Sequence, residues 1–311
     1  MNLSGPVDDI GSALRGLSGS VFAVIDGAQY SNLPGRLETV GLEFAALYVD
    51  EIDNPDLRFG PHLVVCPTGY AVEQVRDVAA GSPSVVWWSW PDAGADTAHQ
   101  LIGHLRRLAL VDVPTGLQSV AMGPPRHGTI LSSEPFEPVL FRHADPDVIA
   151  AILPVLDAKQ TKRLLGGAEA VLAESAQDQA VTILKNPDPT AEMPFGRIRL
   201  EQAQYQALSA TYRAALRRRA VLEFEPDLPG VNFADRKTRL EDALDRAEAY
   251  GLISNSQLWD FVALDLRYGA RFELQPDAAK VLFELKGQDR PAGERLWRAE
   301  PSMQMVRSAE R

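Results

Sequence analysis

Few residues in this chain have the types and spacing that enzymatic chemistry requires. A G-x-x-x-x-G-K-[ST] run, whose backbone would cradle phosphates, is absent. The G-x-S-x-G turn of a serine hydrolase is absent too, because segment 16–20 ends in Ser20 where that turn needs a glycine. His99 and His104 lie five residues apart, on different faces of a helix, and Cys66 has no basic neighbour in sequence. We therefore expect a protein that is not an enzyme and that binds no cofactor or metal.

Asp26 is the first of two places where site chemistry is conceivable. It follows the apolar run Val21–Ile25 and precedes Gly27 and Tyr30. Metal-dependent nucleases of the PIN/NYN type place a ligand carboxylate at the end of a first parallel strand, and Mg²⁺ prefers oxygen ligands. Further acids near predicted strand ends are Asp50, Glu51, Asp92 and Asp112. The favoured alternative is structural: Asp26 accepts backbone N–H bonds in a tight turn, and Gly27 supplies an unusual φ.

The second place is the segment from Phe141 to Val148. Arg142 and Asp145 are spaced to form a charge-assisted pair that pins a strand to the next helix. Asp145 followed by Pro146 is typical of a helix start, with Asp as the N-cap. Local spacing favours this structural role, although the same pair could face a partner protein. His143 is interpreted as a hydrogen-bonding side chain.

Aromatic residues provide two further candidates. Trp87, Trp88 and Trp90 lie close together in sequence, and burial in the core is the more common explanation for such a group. One exposed tryptophan would nevertheless be a strong anchor for a partner. We therefore keep Trp88 and Tyr30 as candidates for partner contact.

Short β-rich runs alternate with helical stretches in the front half of the chain. The strand candidates are Val21–Ile25, Phe44–Val49, His62–Cys66, Ser84–Trp88 and Val139–Phe141, and the helix candidates are Tyr70–Ala80, Asp96–Leu108 and the segment beginning at Asp145. This alternation predicts an α/β lobe whose sheet is mixed or mostly parallel and is flanked by helices.

Prolines mark the next boundary. Three of them fall within residues 186–194, which excludes a continuous helix or a central strand there. We interpret residues 186–197 as a linker between an α/β domain over 1–185 and a small all-α lobe over 198–287, where the apolar period becomes helical. The polar tail 288–311 is expected to be partly disordered.

Charge and composition restrict the partners. The chain is 45% hydrophobic, as globular proteins are, and its net charge is −11, of which residues 1–175 carry −10 and residues 176–311 carry −1. Such an acidic front half repels a phosphate backbone, which argues against nucleic-acid binding. The basic run Arg217, Arg218 and Arg219 is usually a solvated helix face, or it could meet acidic partner surfaces. With no leader pattern and no apolar stretch of about 18 residues, we expect a cytoplasmic protein without membrane insertion.

Short motifs, taken in order and spacing, resemble those of one protein family. They are Phe22–Ala28, Gly60–Val64, His104–Leu108, Phe141–Pro146, Ala247–Leu252 and Leu266–Phe272. Together they resemble the type VI secretion effector adaptors, or chaperones, that are built on domain of unknown function 4123, and the resemblance spans most of residues 20–285. Asp147 stands where that family usually has Arg, so a partner contact at this position is not carried over.

This resemblance implies a cytoplasmic, non-enzymatic protein that binds one toxic effector and helps to load it onto the VgrG spike before secretion. The effector and VgrG would then be its partners. The alternatives are a metal-dependent PIN/NYN-like nuclease that uses Asp26 and, third, an α/β module that binds a small ligand.

Overall fold

The computed structural model describes residues 3–4, 10–48, 60–80, 85–92, 94–115, 135–175, 180–224, 232–252, 255–287 and 290–299. These residues divide into two compact units, one formed up to Leu208 and the other from Ser209 onward. The division falls inside the helix Gln202–Glu223, and the domain limits deduced from the prolines stay predictions. Among the described helices, none combines the length and the apolar character that a membrane span needs.

The first unit contains all the described strands and six helices. The strands are β1 (Leu3–Ser4), β2 (Ser20–Asp26), β3 (Phe44–Ala46), β4 (Pro61–Cys66), β5 (Val85–Trp90), β6 (Leu110–Pro114), β7 (Phe136–Leu140), β8 (Ala170–Ser175), β9 (Ala180–Lys185) and β10 (Ile198–Arg199). The helices are α1 (Ile10–Arg15), α2 (Leu33–Thr39), α3 (Gly69–Ala79), α4 (Thr97–Arg107), α5 (Pro146–Ile152) and α6 (Ala158–Leu165).

The strands of the large sheet follow the order β1-β9-β8-β5-β2-β4-β3, and each neighbouring pair is antiparallel. The prediction of a mixed or mostly parallel sheet was therefore wrong for this sheet, whereas the combination of a sheet with flanking helices was confirmed. The reason is that β2 is inserted between β4 and β5. These strands are joined through α3 and run in the same direction, but β2 lies between them and runs the opposite way.

The central strand β2 is covered on both of its faces. Ala23 and Ile25 point to one side, where they belong to a core that includes Trp87 and residues of α1, α2 and α3. Phe22 and Val24 point to the other side and are also buried. The continuous apolar run in the sequence therefore reflects two covered faces and does not require a parallel sheet.

A second, smaller sheet has the order β10-β6-β7. Strand β10 runs parallel to β6, with Ile198 beside Val111, and β7 runs antiparallel to β6, with Leu140 beside Leu110. Val111 is buried, whereas Leu110 and Leu140 are exposed. One face of this sheet thus packs on the core and the other faces solvent.

The second unit is helical. It consists of the end of α7 (Gln202–Glu223) together with α8 (Phe233–Ala249), α9 (Asn255–Tyr268), α10 (Ala279–Lys286) and α11 (residues 292–299). Gly251 and Gly269 follow α8 and α9 with φ of +76° and +100°, the left-handed conformation in which glycine commonly ends a helix. Leu296 and Ala299 of α11 are buried in the core of this unit, so part of the predicted tail is helical and packed.

Candidate functional site

Asp26 lies at the end of β2 and is largely buried. Its Oδ1 accepts a hydrogen bond of 3.1 Å from the backbone N–H of Ala28, and the N–H of Gly27 donates to the carbonyl of Gly60. The tight turn inferred from the sequence is therefore confirmed. The prediction of an unusual φ at Gly27 is wrong, because the φ of Gly27 is not positive. Gly27 begins a short 3-10 turn that ends at Gln29.

Arg142 brings the two candidate places together. Its Nη2 lies 2.7 Å from Oδ2 of Asp26 and 3.3 Å from Oδ2 of Asp145. Asp145 in turn caps α5, because its Oδ1 accepts hydrogen bonds from the backbone N–H groups of Asp147 and Val148. The pair of Arg142 with Asp145 and the cap were predicted from local spacing, whereas the contact with Asp26 was not. We refer to these three residues as the Asp26–Arg142–Asp145 cluster.

Aromatic side chains lie beside the cluster and bury most of its two carboxylates. Burial, with the charge of Asp26 adding to it, raises the pKa of Tyr48 to about 12. Burial also raises the pKa of Asp145, although the charge of Arg142 opposes this shift. The ring of His143 contacts Tyr48 and Phe141 edge-on and is fully buried, and no other described residue hydrogen-bonds to either of its nitrogens. The interpretation of His143 as a hydrogen-bonding side chain was therefore wrong, and burial lowers its pKa to about 4.

All four carboxylate oxygens of the cluster are engaged in hydrogen bonds or ion pairs. In each carboxylate, one oxygen accepts from backbone N–H groups and the other faces Arg142. Action as a metal ligand or a general base would require these bonds to be shared or broken. The guanidinium remains 40% exposed, so it is the part of the cluster that solvent reaches. This geometry suits a structural tie between β2 and α5.

The other acids that were considered for a metal site do not join Asp26. Asp92 accepts a hydrogen bond from the backbone N–H of Gly94, and Asp112 forms an ion pair with Arg197 at 3.3 Å. Asp50 and Glu51 lie outside the described residues. Within the part of the chain that the structure describes, no three His, Cys, Asp or Glu side chains are grouped so as to hold a metal ion.

The aromatic candidate residues are buried, and the first basic candidate pairs with acids of its own unit. Tyr30 is buried under the guanidinium of Arg36, and Trp88 is completely buried, so neither is placed on the surface as an anchor. The first candidate of the basic run, Arg217, forms ion pairs with Asp245 at 2.6 Å and Glu248 at 3.2 Å. The side chain of the second, Arg218, lies outside the described residues.

A buried ion network in the helical unit was missed from the sequence. Arg246 donates to both carboxylate oxygens of Glu273 at 2.6 and 2.7 Å, to Asp265 at 2.6 Å and to Asp242 at 3.0 Å. Asp265 and Glu273 are each only 1% exposed. A signal was present for Asp265, which continues the helical spacing of Phe261 in α9 and therefore interrupts an apolar stripe with a charge. The network lies in or beside two of the motifs that resemble the adaptor family.

Comparison with known families gives one match. Residues 21–121 match the family model described as Domain of unknown function (DUF4123). The match begins in β2 and includes Asp26, but it covers about a third of the chain and stops before Arg142. No curated protein and no solved structure matches the chain significantly. The Asp26–Arg142–Asp145 cluster therefore links the matched segment to a motif that lies outside it.

Proposed function

We propose that this protein is a cytoplasmic adaptor of a type VI secretion system, which binds a cognate effector and helps to load it onto the VgrG spike. The observation that carries the proposal is the DUF4123 match over residues 21–121, because this family is known in type VI effector adaptors. The further motifs between Phe141 and Phe272 support it through their order and spacing.

The geometry of the cluster is consistent with an adaptor. Asp26 and Asp145 use their oxygens to hold β2 and α5 in place through Arg142. The residues of the candidate site then maintain the shape of a scaffold, and recognition is left to other surfaces. No observation on the described residues favours the alternative of a nuclease that uses Asp26.

Co-expression with an effector tests the proposal. The full chain, carrying an affinity tag, is produced together with the untagged product of the neighbouring effector gene, and both are followed through affinity purification and gel filtration. The expected result is co-elution of the two proteins as one complex. A complex that survives purification is expected to bury at least about 1,000 Å² of surface. A well-folded chain that never retains the effector would overturn the proposal.

A nuclease assay provides the second measurement. The purified chain is incubated with single- and double-stranded nucleic acids in the presence of Mg²⁺ or Mn²⁺, and the Asp26→Asn variant is the matched control. The adaptor proposal predicts no metal-dependent cleavage by either protein. Cleavage that the wild type performs and the folded variant lacks would contradict it.

A further inference from the structure

Phe195 is the most exposed large apolar side chain among the described residues. Its relative exposure is 105%, which means that no part of the ring is covered by the rest of the chain. Leaving an aromatic ring in water forgoes the favourable free energy of burying it. Aromatic residues in such positions are the typical anchors of protein interfaces.

The side chain of Arg163 holds the backbone on both sides of Phe195. Arg163 is buried, and its Nε donates to the carbonyl oxygen of Gly196 at 2.5 Å, while its Nη1 lies 3.4 Å from the sulfur of Met193. Its Nη2 donates to the carbonyl of Arg107 at the end of α4. One guanidinium therefore fixes both sides of the short segment that presents the ring.

Local backbone chemistry adds to this fixation. Pro194 restricts its own φ and the conformation of its predecessor, and Gly196 adopts a φ of +89° that other residues rarely take. A ring that is presented in one backbone conformation loses little conformational entropy when a partner covers it. Phe195 is thus preorganised for contact.

The start of β6 lies close to this segment, because the guanidinium of Arg163 bonds to both Gly196 and Arg107, and Arg107 precedes β6 by three residues. Phe195 lies three residues before Ile198, which pairs with Val111 beside the start of β6. At that same end of the sheet, Leu110 and Leu140 are directly opposite each other and are 36% and 53% exposed. We define the docking face as Phe195, Leu110 and Leu140 together with the neighbouring Arg197 and Arg199.

The charge of the docking face differs from that of the chain. Arg199 lies 4.5 Å above the ring of Phe136, and Arg197 pairs with Asp112. Among the described residues of this face, Arg197 and Asp112 neutralise each other, which leaves the positive charge of Arg199, although the whole chain has a net charge of −11. Such a face complements an apolar segment that also carries carboxylates.

Proline protects the open edge of this sheet against strand addition. The N–H of Phe141 donates to Ala109, so odd-numbered residues of β7 direct their backbone groups toward β6 and even-numbered residues direct theirs outward. Pro138 is an outward position and has no N–H to donate. A partner therefore gains more from contacts with the side chains of the face than from extending the sheet.

We propose that the docking face binds an apolar segment of the cognate effector that carries acidic residues, with Phe195 as its anchor. This inference rests on the proposed function, since the effector is taken as the partner. The segment covers Phe195, Leu110 and Leu140 with apolar side chains and places a carboxylate against Arg199.

Two variants and two matched controls test the inference in the co-expression experiment. Phe195→Asp is expected to reduce the effector retained by the full chain about tenfold or more, and Arg199→Glu about fivefold or more. Tyr70→Asp replaces a ring that is 73% exposed on α3, and Lys185→Glu replaces an exposed cation at the end of β9. Both controls are expected to retain the effector within about twofold of the wild type. Thermal unfolding of each variant confirms that the fold is intact.

The outcomes separate the two proposals. If the wild type and Phe195→Asp retain the effector equally, the proposal that the docking face binds the effector is wrong, whereas the proposed adaptor function stands. If the wild type retains no effector, the adaptor function fails, and the assignment of this face to the effector fails with it. If Phe195→Asp instead converts an oligomer of the wild type into a monomer without affecting retention, the face binds a second copy of the chain, which also overturns the inference.

Discussion

Arg142 is the residue on which the geometry of the candidate site depends. It reaches Asp26 across 116 positions of sequence and also contacts Asp145, so one guanidinium joins the end of β2 to the start of α5. The side chains of both acids are mostly buried, at 11% and 17% exposure. A buried carboxylate that loses its cation is costly, because neither water nor another charge compensates it.

Removal of Arg142 is expected to destabilise the protein. Arg142→Met keeps the length of the side chain and leaves two poorly solvated carboxylates without a cation. We expect the free energy of unfolding, measured by urea denaturation, to fall by about 1–3 kcal/mol, which is less than for a fully buried pair because Arg142 is partly exposed.

An exposed pair provides the control for this prediction. Arg76 lies 3.6 Å from Glu73 on the surface of α3, and Arg76→Met is expected to change the free energy of unfolding by less than about 0.5 kcal/mol. Equal effects of the two substitutions would contradict the structural role of the cluster.

Two buried histidines predict a pH dependence of stability. Burial lowers the pKa of both His104 and His143 to about 4, whereas an unfolded histidine titrates near 6.5. Between these values the unfolded chain binds more protons than the folded protein. The free energy of unfolding therefore falls as the pH decreases from about 6.5 to about 4, by at most about 1.4 kcal/mol per pH unit for each histidine.

Substitution of His143 isolates its share of this dependence. His143→Phe removes no hydrogen bond to another described residue, because neither ring nitrogen has such a partner. Urea denaturation at several pH values is expected to give a smaller slope for His143→Phe than for the wild type between pH 4 and 6.5. The same slope in both proteins would show that His143 is not held neutral by burial.

The sequence indicated the parts of the candidate site but not their assembly. The turn at Asp26 and the capped helix start at Asp145 follow from residues within a few positions of each other, so local rules were sufficient. The ion pair between Asp26 and Arg142 depends on how β2 and α5 are placed in the fold. Similarly, Phe195 lay in a segment interpreted as a linker, where local pattern does not reveal the contact with Arg163.

Elements of structure were predicted more reliably than their arrangement. The apolar runs around Phe22, Val64 and Trp87 are strands, and the helix start at Asp145 is as expected. The direction of the strands was not predictable, because a strand–helix–strand path is compatible with both adjacent and separated strands. Here β2 is inserted between β4 and β5, which makes the pairs antiparallel.

The buried ion network is the main electrostatic feature of the helical unit. Arg246 contacts three carboxylates, and the backbone N–H of Arg271, which has a φ of +56°, donates to Asp265. The network ties α8 to α9 and to the segment that follows α9. Because Asp265 and Glu273 are buried, water cannot compensate either carboxylate when Arg246 is lost.

Substitution of Glu273 tests the network. Glu273→Leu removes the bidentate partner of Arg246, which keeps Asp265 and Asp242, and is expected to lower the free energy of unfolding by about 1–3 kcal/mol. Combining it with Arg246→Met is expected to cost less than the sum of the two single substitutions, because each single substitution already removes the bond between Arg246 and Glu273.

Glu294 provides a control in the same unit. It is exposed and pairs with Arg298 at 3.2 Å one helical turn away, so Glu294→Leu is expected to change stability by less than about 0.5 kcal/mol. Urea denaturation of the full chain measures all four variants. Strictly additive effects of Arg246→Met and Glu273→Leu would contradict the network.

At the scale of the whole molecule, the arginines of the helical unit and those of the proposed docking face have different surroundings. Arg217 and Arg246 in the helical unit form ion pairs with acids of the same unit, and the expectation that Arg217 meets acidic partner surfaces stays a prediction. The docking face of the first unit combines exposed apolar side chains with guanidiniums. This arrangement fits a protein that acts by binding.

Secretion of the effector tests the adaptor account most directly. In a strain that lacks this gene, the amounts of the neighbouring-gene effector inside the cells and in the culture supernatant are compared with those of the parent strain. The account predicts that the effector disappears from the supernatant, that VgrG is still exported, and that the wild-type gene restores secretion whereas the Phe195→Asp variant does not. Undiminished export of the effector without this protein would contradict the account.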